Sequence, residues 1–470
     1  MADLLGRWSA GAGPLYQQLV GAVEALVDDG TIRAGDQLPA ERALADALAV
    51  SRGTVVRAYD SLADAGRVRR VQGSGTTVAG NRIPAAAQAD DFVGDPLWAA
   101  TDDAISFLKA IPSLLPEVHE AITSVDLAAH GADLDTAEPL GWWSLRSRIA
   151  DHCTADGLPT TPHQIMVTSG AQQALALTIR SIVHPGDVVL GEEHTWPGLI
   201  DLVVHQGARY VPVQMDAGGV DATQLERLVE RYRPGLVVLN PQNHNPTGTR
   251  MADERVAEVA RIARDYRVPV AEDRVAANIG FDRRRLPAIA DHDTGGHDVT
   301  LDSLCKVAWP GLRLGWVRAD AQLISRMRAH KAVDDMFCSL LSQAAGLAVL
   351  DRYDAIIAAR VDQLRPRLDV ITAALDAELP EWSYQRPRGG LSVWVTLPAG
   401  VSADAFVRHA ARHGVLVASA RQFGADAVDS RQIRLPFTSP EAELAEGMRR
   451  LVGAWHSFDR TTAARSLSVV

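Results

Sequence analysis

Lysine is almost absent from this chain. Only Lys109, Lys306 and Lys331 occur, and arginine supplies the other 44 of the 47 basic side chains. A guanidinium provides charge and hydrogen bonds as well as an ammonium does, but it is too delocalised and too basic to condense with an aldehyde. A lysine retained in such a chain is therefore a candidate for amine chemistry.

Lys306 is the strongest candidate of the three because of its neighbours. It lies in residues 303–315, with the sequence SLCKVAWPGLRLG. The hydroxyl of Ser303, the amine of Lys306 and the guanidinium of Arg313 are spaced to hold a phosphorylated aldehyde. The alternative interpretation is a solvated surface charge.

Disulfide frameworks and long apolar runs are absent too. Cys153, Cys305 and Cys338 are scattered and form no CxxC motif, which is typical of proteins in a reducing compartment. No apolar run reaches the ~20 residues of a membrane span, and the N-terminus lacks the residue order of a secretory signal. These patterns predict a cytoplasmic protein.

Positive charge is in deficit overall. The net charge of −11 argues against a protein that coats nucleic acid over its whole surface, but it allows one small basic surface. At 470 residues, two or three domains are expected. His409 and His413 share a helical face without an evident third ligand, so no metal site is predicted.

The first eighty residues have the pattern of a winged helix-turn-helix domain. Residues 14–29 place Leu15 and other apolar side chains on one face of a helix. A second helix is expected to begin near Pro39, and a third to span residues 51–65. Residues 68–78 suit a two-stranded hairpin, or wing.

Basic side chains are concentrated in the second half of this domain. Residues 52–72 carry five arginines against two acidic residues. Arginine at the start of a recognition helix can form paired hydrogen bonds with guanine in the major groove, so Arg52 and Arg57 are predicted to contact DNA. The alternative is an arginine-rich domain used for protein contacts.

Three segments carry a resemblance to the GntR family of bacterial repressors: LPAERALA at residues 38–45, VSRGTV at 50–55 and GSGT at 73–76. The resemblance implies DNA contacts by Arg42, Arg52, Thr54 and Gly73. Ala40 and Val56 depart from residues common in the family, which leaves the operator sequence open.

A larger α/β unit is expected after a linker at residues 81–100. Strand-like apolar runs alternate with helical patterns, which is typical of a largely parallel sheet. These runs begin at Ile165, Asp187, Arg209, Leu236 and Val268. We predict a DNA-binding domain at 12–80, a large lobe at 101–335 and a small C-terminal lobe at 336–460.

Further segments indicate a cofactor site. Residues 169–173, SGAQQ, follow a strand and open a helix, and backbone N–H groups at such a helix start form a phosphate seat. Asp273, at a strand end, would keep a pyridine nitrogen protonated. Asn245 could hold a phenolic oxygen, and Trp196 offers a face for stacking. The alternatives are an ordinary turn, a capped loop acid and a core aromatic.

In this combination and order, residues 100–460 resemble fold-type I, class I aminotransferases that depend on pyridoxal 5′-phosphate. The resemblance implies Lys306 as the Schiff-base lysine and Asp273 as the partner of the pyridine nitrogen. Arg434 would grip the α-carboxylate of a substrate. The remaining cofactor contacts implied are Ala171, Gln172, Trp196, Asn245, Ser303 and Arg313.

Two positions depart from that family. Val275 stands where a tyrosine commonly bonds the ring oxygen, and Thr136 where a tyrosine from the neighbouring subunit often meets the phosphate. Loss of the ring-oxygen hydroxyl should slow proton transfer, while cofactor binding should survive. Little or residual aminotransferase activity is expected.

The combination of both units resembles the MocR subfamily of GntR-type transcription regulators. The resemblance implies a head-to-tail homodimer that binds an operator in double-stranded DNA. Its aminotransferase-like part would sense pyridoxal phosphate, and an amine or amino acid effector, through an aldimine at Lys306. The alternatives are an active aminotransferase with a DNA-binding appendage and a DNA-binding protein with a cofactor-free scaffold.

Overall fold

The computed structural model describes residues 2–5, 8–9, 14–28, 32, 36–64, 68–71, 75–78, 104–131, 138–424 and 431–458. The chain divides into two compact units, Met1–Ala89 and Asp90–Val470. The expected linker at 81–100 lies outside the described residues, as do Gly73 and Thr136. No helix in the described part of the chain has both the length and the apolar character needed to cross a membrane.

The N-terminal unit combines helices with a small antiparallel sheet. Its helices are Ala2–Leu5, Leu15–Asp28, Glu41–Leu48 and Arg52–Asp64. Its strands lie in the order Gln37–Leu38, Gly75–Val78 and Val68–Val71. The helix-turn-helix and the hairpin are therefore confirmed, and Gln37–Leu38 adds a third strand to the wing.

The helix Arg52–Asp64 is fixed by its apolar face. Val55, Ala58, Tyr59 and Leu62 recur at helical spacing and are completely buried. The Tyr59 hydroxyl also donates a hydrogen bond to the backbone oxygen of Pro39 at 2.9 Å. This contact ties the third helix to the residues that precede the second.

A seven-stranded sheet forms the centre of the large lobe. Six strands run parallel, and Gly315–Arg318 runs antiparallel to both of its neighbours. All five predicted apolar runs contribute strands. The order is Ile165–Thr168, Gly315–Arg318, Asp298–Ser303, Val270–Asp273, Leu236–Leu239, Val188–Glu192 and Arg209–Val213.

A five-stranded sheet forms the small lobe. Its order is Ser383–Tyr384, Ser392–Thr396, Gln432–Pro436, Val415–Ser419 and Ile105–Phe107. The last of these pairs in parallel with Val415–Ser419. Residues 105–107, which fall inside the predicted large lobe at 101–335, therefore belong to the sheet of the small lobe.

Helices cover both sheets. The α-helices of this unit are Pro116–Thr123, Trp143–Ala155, Ala171–Ile182, Pro197–His205, Ala222–Tyr232, Asp253–Tyr266, Leu304–Val307, Ala321–Asp334, Leu340–Leu350, Tyr353–Glu378, Ala403–Arg412 and Glu441–Ser457. Short 3-10 helices are Leu127–His130, Pro162–Gln164, Ile289–Asp291, Pro310–Leu312 and Ala420–Phe423, and a small hairpin pairs Met215–Asp216 with Gly219–Val220.

The topology brings chemically active residues to one edge of the large sheet. Four neighbouring parallel strands end at Glu192, Leu239, Asp273 and Ser303. Parallel strands present their carboxyl ends at the same edge, where ligands of α/β proteins bind. Residues that follow these strands are therefore gathered at one place.

Candidate functional site

One cavity of about 780 Å³ collects the residues proposed from the sequence. Every predicted cofactor and effector residue borders it: Ala171, Gln172, Trp196, Asn245, Asp273, Ser303, Lys306, Arg313 and Arg434. The cavity lies at the strand-end edge of the large sheet and is also bordered by Leu391 and Ser392, next to the second sheet. Its volume suits a small-molecule ligand.

Lys306 lies on the short helix Leu304–Val307. The Ser303 hydroxyl caps this helix by accepting from the Cys305 N–H at 3.1 Å. The Lys306 Nζ donates to the backbone oxygen of Ala110 at 2.8 Å. Burial, reinforced by the positive charge of Arg434, lowers the pKa of the Lys306 amine to about 8. The amine is thus a far better nucleophile at neutral pH than an exposed lysine.

Asp273 provides a carboxylate to the lining of the cavity. Its Oδ1 accepts from the Val275 N–H at 3.0 Å. Burial raises the pKa of Asp273 to about 6, against the lowering effects of that hydrogen bond and of Lys306. The group is still mostly ionised at pH 7, and it can therefore stabilise a protonated ring nitrogen.

Asn245 and Arg434 form a hydrogen-bonded pair in the lining of the cavity. The Arg434 Nη1 donates to Asn245 Oδ1 at 3.0 Å, and its Nη2 donates to the backbone oxygen of Leu108. The Nδ2 of Asn245 donates to none of the described residues, so it is available to a ligand oxygen.

Arg434 is a buried cation without an anionic partner among the described residues. The residue is 2% exposed, its guanidinium lies over the Phe423 ring at 4.6 Å, and its Nε has no hydrogen-bond partner. Burial lowers the pKa of Arg434 to about 9. Because a buried charge is costly unless it is paired, this guanidinium is suited to a ligand carboxylate.

The phosphate seat is formed at the start of the helix Ala171–Ile182. Gly170 caps this helix with a φ of +94°, and a Cβ at this position would lie 3.6 Å from both terminal nitrogens of Arg313. Glycine therefore leaves a cradle between the helix start and a guanidinium, which suits a phosphate. Arg313 Nη2 donates to the Ser169 backbone oxygen at 2.7 Å.

Ser303 borders this cradle, but its hydroxyl is engaged. It donates to the Leu314 backbone oxygen at 2.8 Å while it caps the helix of Lys306. The predicted contact of this hydroxyl with the phosphate would require it to give up the bond to Leu314.

Trp196 is oriented by a neighbour that also belongs to the predicted set. Its indole Nε1 donates to Gln172 Oε1 at 2.7 Å. Trp196 directly precedes the helix Pro197–His205, so backbone and side chain are both restrained. Val275 also borders the cavity, and it brings no hydroxyl there.

Sequence reasoning did not assign Asn240, although it lies in the same segment as Asn245, NPQNHNPTG at residues 240–248. Asn240 Nδ2 donates to the Asp273 backbone oxygen at 2.6 Å, and its Oδ1 accepts from the Asn245 N–H at 2.8 Å. This side chain therefore links the predicted ring-nitrogen and ring-oxygen partners. Its position directly after a strand was the available signal.

Glu192 and His244 also border the cavity, and sequence reasoning missed both. Glu192 Oε1 accepts from the Asn240 N–H at 2.6 Å and lies 3.9 Å from His244 Nε2. Burial raises the pKa of Glu192 to about 8 and lowers that of His244 to about 3. Both groups are therefore neutral at pH 7 and do not form an ion pair.

In the N-terminal unit, four predicted DNA contacts lie on two helices: Arg42 on Glu41–Leu48, and Arg52, Thr54 and Arg57 on Arg52–Asp64. Arg42, Arg52 and Arg57 are exposed. The Ser51 hydroxyl accepts from the Thr54 N–H at 3.1 Å, and Arg52 is paired with Glu41 at 3.1 Å. The side chains of Arg69 and Arg70 lie outside the described residues.

Comparison with known proteins identifies both units. Residues 106–451 match the aminotransferases of class I and II, and residues 15–78 match the bacterial regulatory proteins of the gntR family. The HTH-type transcriptional regulator TauR of Rhodobacter capsulatus is 28% identical over 483 residues, which cover 94% of this chain and 97% of TauR.

Aminotransferases are also similar to this chain over about three quarters of its length. The aromatic-amino-acid aminotransferase 1 of Thermococcus litoralis is 28% identical over 365 residues, covering 75% of this chain and 88% of that enzyme. The crystal structure of a multiple substrate aminotransferase from Thermococcus profundus has a TM-score of 0.70 and 26% identity, covering 78% of this chain and 93% of that one.

Fold, cavity and relatives agree on the cofactor, since the class I aminotransferase fold implies pyridoxal 5′-phosphate. The chain belongs to the aminotransferase class I and II family and carries an N-terminal gntR-family DNA-binding domain, the fused architecture of MocR-like transcription regulators.

Proposed function

We propose that this protein is a transcription regulator whose DNA binding responds to pyridoxal phosphate together with an amino acid effector. The observation that carries the effector is Arg434. A guanidinium that is buried, next to Asn245 and without a carboxylate partner among the described residues is suited to the α-carboxylate of a ligand. The Lys306 amine borders the same cavity.

The residues of the cavity would divide the cofactor among them. When bound, the cofactor supplies an aldehyde and a pyridine ring that withdraws electrons. Lys306 would provide the amine, Asp273 would hold a proton at the ring nitrogen, and Asn245 Nδ2 would donate to the ring oxygen. Trp196 would lie against the ring, and the phosphate would be bound by Ala171, Gln172, Ser303 and Arg313.

The proposed effector would first change the contacts of residues 108–110. Arg434 donates to the Leu108 oxygen and Lys306 to the Ala110 oxygen. A ligand that binds both Arg434 and Lys306 would replace both of these hydrogen bonds to residues 108–110. That segment is the first described stretch after the DNA-binding unit, whose proposed contacts are Arg42, Arg52, Thr54, Arg57 and Gly73. A head-to-tail homodimer would carry two such units.

The test compares effectors with and without a carboxylate. Operator affinity of the full chain with pyridoxal phosphate is measured against the twenty amino acids and the amine that corresponds to each active one. We expect an amino acid to change operator affinity and its decarboxylated amine to act far more weakly. Arg434→Gln should remove this difference. Equal responses to amine and amino acid in the unaltered chain would contradict the proposal.

An active aminotransferase is the second candidate, favoured by the similarity of the larger unit to enzymes of that class. Val275, which brings no hydroxyl to the ring oxygen, argues against efficient turnover. Multiple turnovers of an amino donor with a keto acid, together with no operator binding, would favour the enzyme.

A further inference from the structure

A second of the three lysines, Lys331, contacts the helix that begins at the phosphate seat. Lys331 is completely buried, and its Nζ donates to both carboxylate oxygens of Asp335, at 2.7 and 2.9 Å, and to Gln173 Oε1 at 3.3 Å. All three ammonium hydrogens therefore have acceptors. The buried ammonium is therefore stabilised by hydrogen bonds within the protein rather than by solvent.

The network ends on Ser169, the residue before the seat. Ser169 N–H donates to Gln173 Oε1 at 2.8 Å, and its hydroxyl donates to Asp335 Oδ2 at 3.4 Å. Gln173 Nε2 donates to the same Asp335 oxygen at 2.8 Å. Arg313 binds the Ser169 carbonyl from the cradle side. Ser169 is thus held by its backbone N–H, its hydroxyl and its carbonyl oxygen.

We infer that Lys331, Asp335 and Gln173 are positioning residues for the cofactor phosphate. They fix Ser169, and with it the turn through Gly170 into the helix start, before any ligand arrives. Binding then costs less because the seat does not have to be ordered. The inference rests on the proposed cofactor site and concerns residues that do not border the cavity.

The same network explains why lysine is kept at position 331. The three donors of an ammonium converge on acceptors that belong to only two side chains, and no part of the residue is exposed. A planar guanidinium is larger and presents its donors in a fixed fork. Arginine, the usual cation of this chain, could not direct three donors to these acceptors in the same way.

The experiment separates phosphate binding from aldehyde binding. Dissociation constants for pyridoxal phosphate and for pyridoxal, which lacks the phosphate, are measured by absorbance titration of the full chain and of three variants: Asp335→Asn, Gln173→Ala and Lys331→Met. We expect each variant to raise the dissociation constant for pyridoxal phosphate by about tenfold, which is the effect of losing one charge-assisted hydrogen bond. Pyridoxal affinity should change by less than about twofold.

Asp334→Asn is the matched control. Asp334 is adjacent to Asp335 at the same helix end, but it pairs with Arg180 and does not contact Ser169. This variant should leave both constants unchanged. Should Lys331→Met not fold, the other two variants carry the test.

Parallel weakening of pyridoxal and pyridoxal phosphate would overturn the inference, because it would show a general structural role. Unchanged constants in all variants would overturn it as well. Failure of the unaltered chain to bind pyridoxal phosphate would instead remove the cofactor site itself, so the two failures are distinguishable.

Discussion

At the scale of single residues, the site depends on how burial changes two cations. Lys306 and Arg434 border the same cavity, and the pKa of each is lowered mainly by burial. With a pKa of about 8, about one tenth of the Lys306 amine is unprotonated at pH 7, against about one part in three thousand for an ordinary lysine. Burial thus supplies a nucleophile without a general base.

The positive charge of Arg434 lowers the pKa of Lys306, and this effect predicts how the rate of cofactor capture depends on pH. The rate of pyridoxal phosphate capture should rise with pH and level off above about 8, the pKa of Lys306. Arg434 disfavours the protonated amine, so Arg434→Gln should raise the pKa of Lys306 and move the midpoint to higher pH. Stopped-flow absorbance from pH 6 to 10 measures both midpoints, a range that brackets the expected pKa by about two units on each side.

Arg421→Gln provides the control for that shift. Arg421 is an exposed arginine of the small lobe that pairs with Asp404 and does not border the cavity. The midpoint of the pH dependence in Arg421→Gln should equal that of the unaltered chain. A midpoint that stays fixed or moves to lower pH in Arg434→Gln would contradict the account.

Residue rarity was a partial guide to these side chains. It pointed to Lys306, yet the same scarcity applied to Lys331, whose role required knowing that it is buried beside Asp335. The roles of Glu192 and His244 could not be predicted from the sequence for a related reason. Their neutral states follow from burial that no local pattern reveals.

At the scale of secondary-structure elements, one arginine joins two helices and the segment that precedes a third. Arg360, on the helix Tyr353–Glu378, is completely buried. It donates to the backbone oxygens of Val307 at 2.9 Å, of Ala308 and of Ser113 at 2.8 Å. Two of these carbonyls lie at and just after the end of the helix of Lys306. In the sequence, this arginine looked like any charged residue of a helix.

Loss of this junction should destabilise the larger unit. Arg360→Leu leaves three carbonyls without their donor, and about 3 kcal/mol or more of unfolding free energy should be lost. Urea denaturation of the full chain measures this loss. Arg365→Ala, an exposed arginine on the same helix that donates to the Phe281 backbone oxygen, should cost about 1 kcal/mol or less. Equal costs for the two variants would contradict the assigned role.

At the scale of the whole molecule, the sequence indicated both units and most strands. Apolar runs such as Leu236–Leu239 are buried on both faces, so their pattern was unambiguous. The strand Ile105–Phe107 could not be predicted in the same way, because its partner strand Val415–Ser419 is some three hundred residues away in the sequence. Leu15, predicted to share the apolar face of its helix, is the first residue of that helix and is 45% exposed, whereas Leu19 and Val23 on the same face are buried.

The central claim is that a DNA-binding regulator captures the aldehyde of pyridoxal phosphate with one particular amine. The scarcity of lysine makes this claim unusually easy to test, since only three side-chain amines exist. Borohydride reduction of the full chain with pyridoxal phosphate, followed by peptide mass spectrometry, locates the linkage. The account predicts one stoichiometric adduct on Lys306. An adduct on Lys109 or Lys331, or no adduct at all, would contradict it.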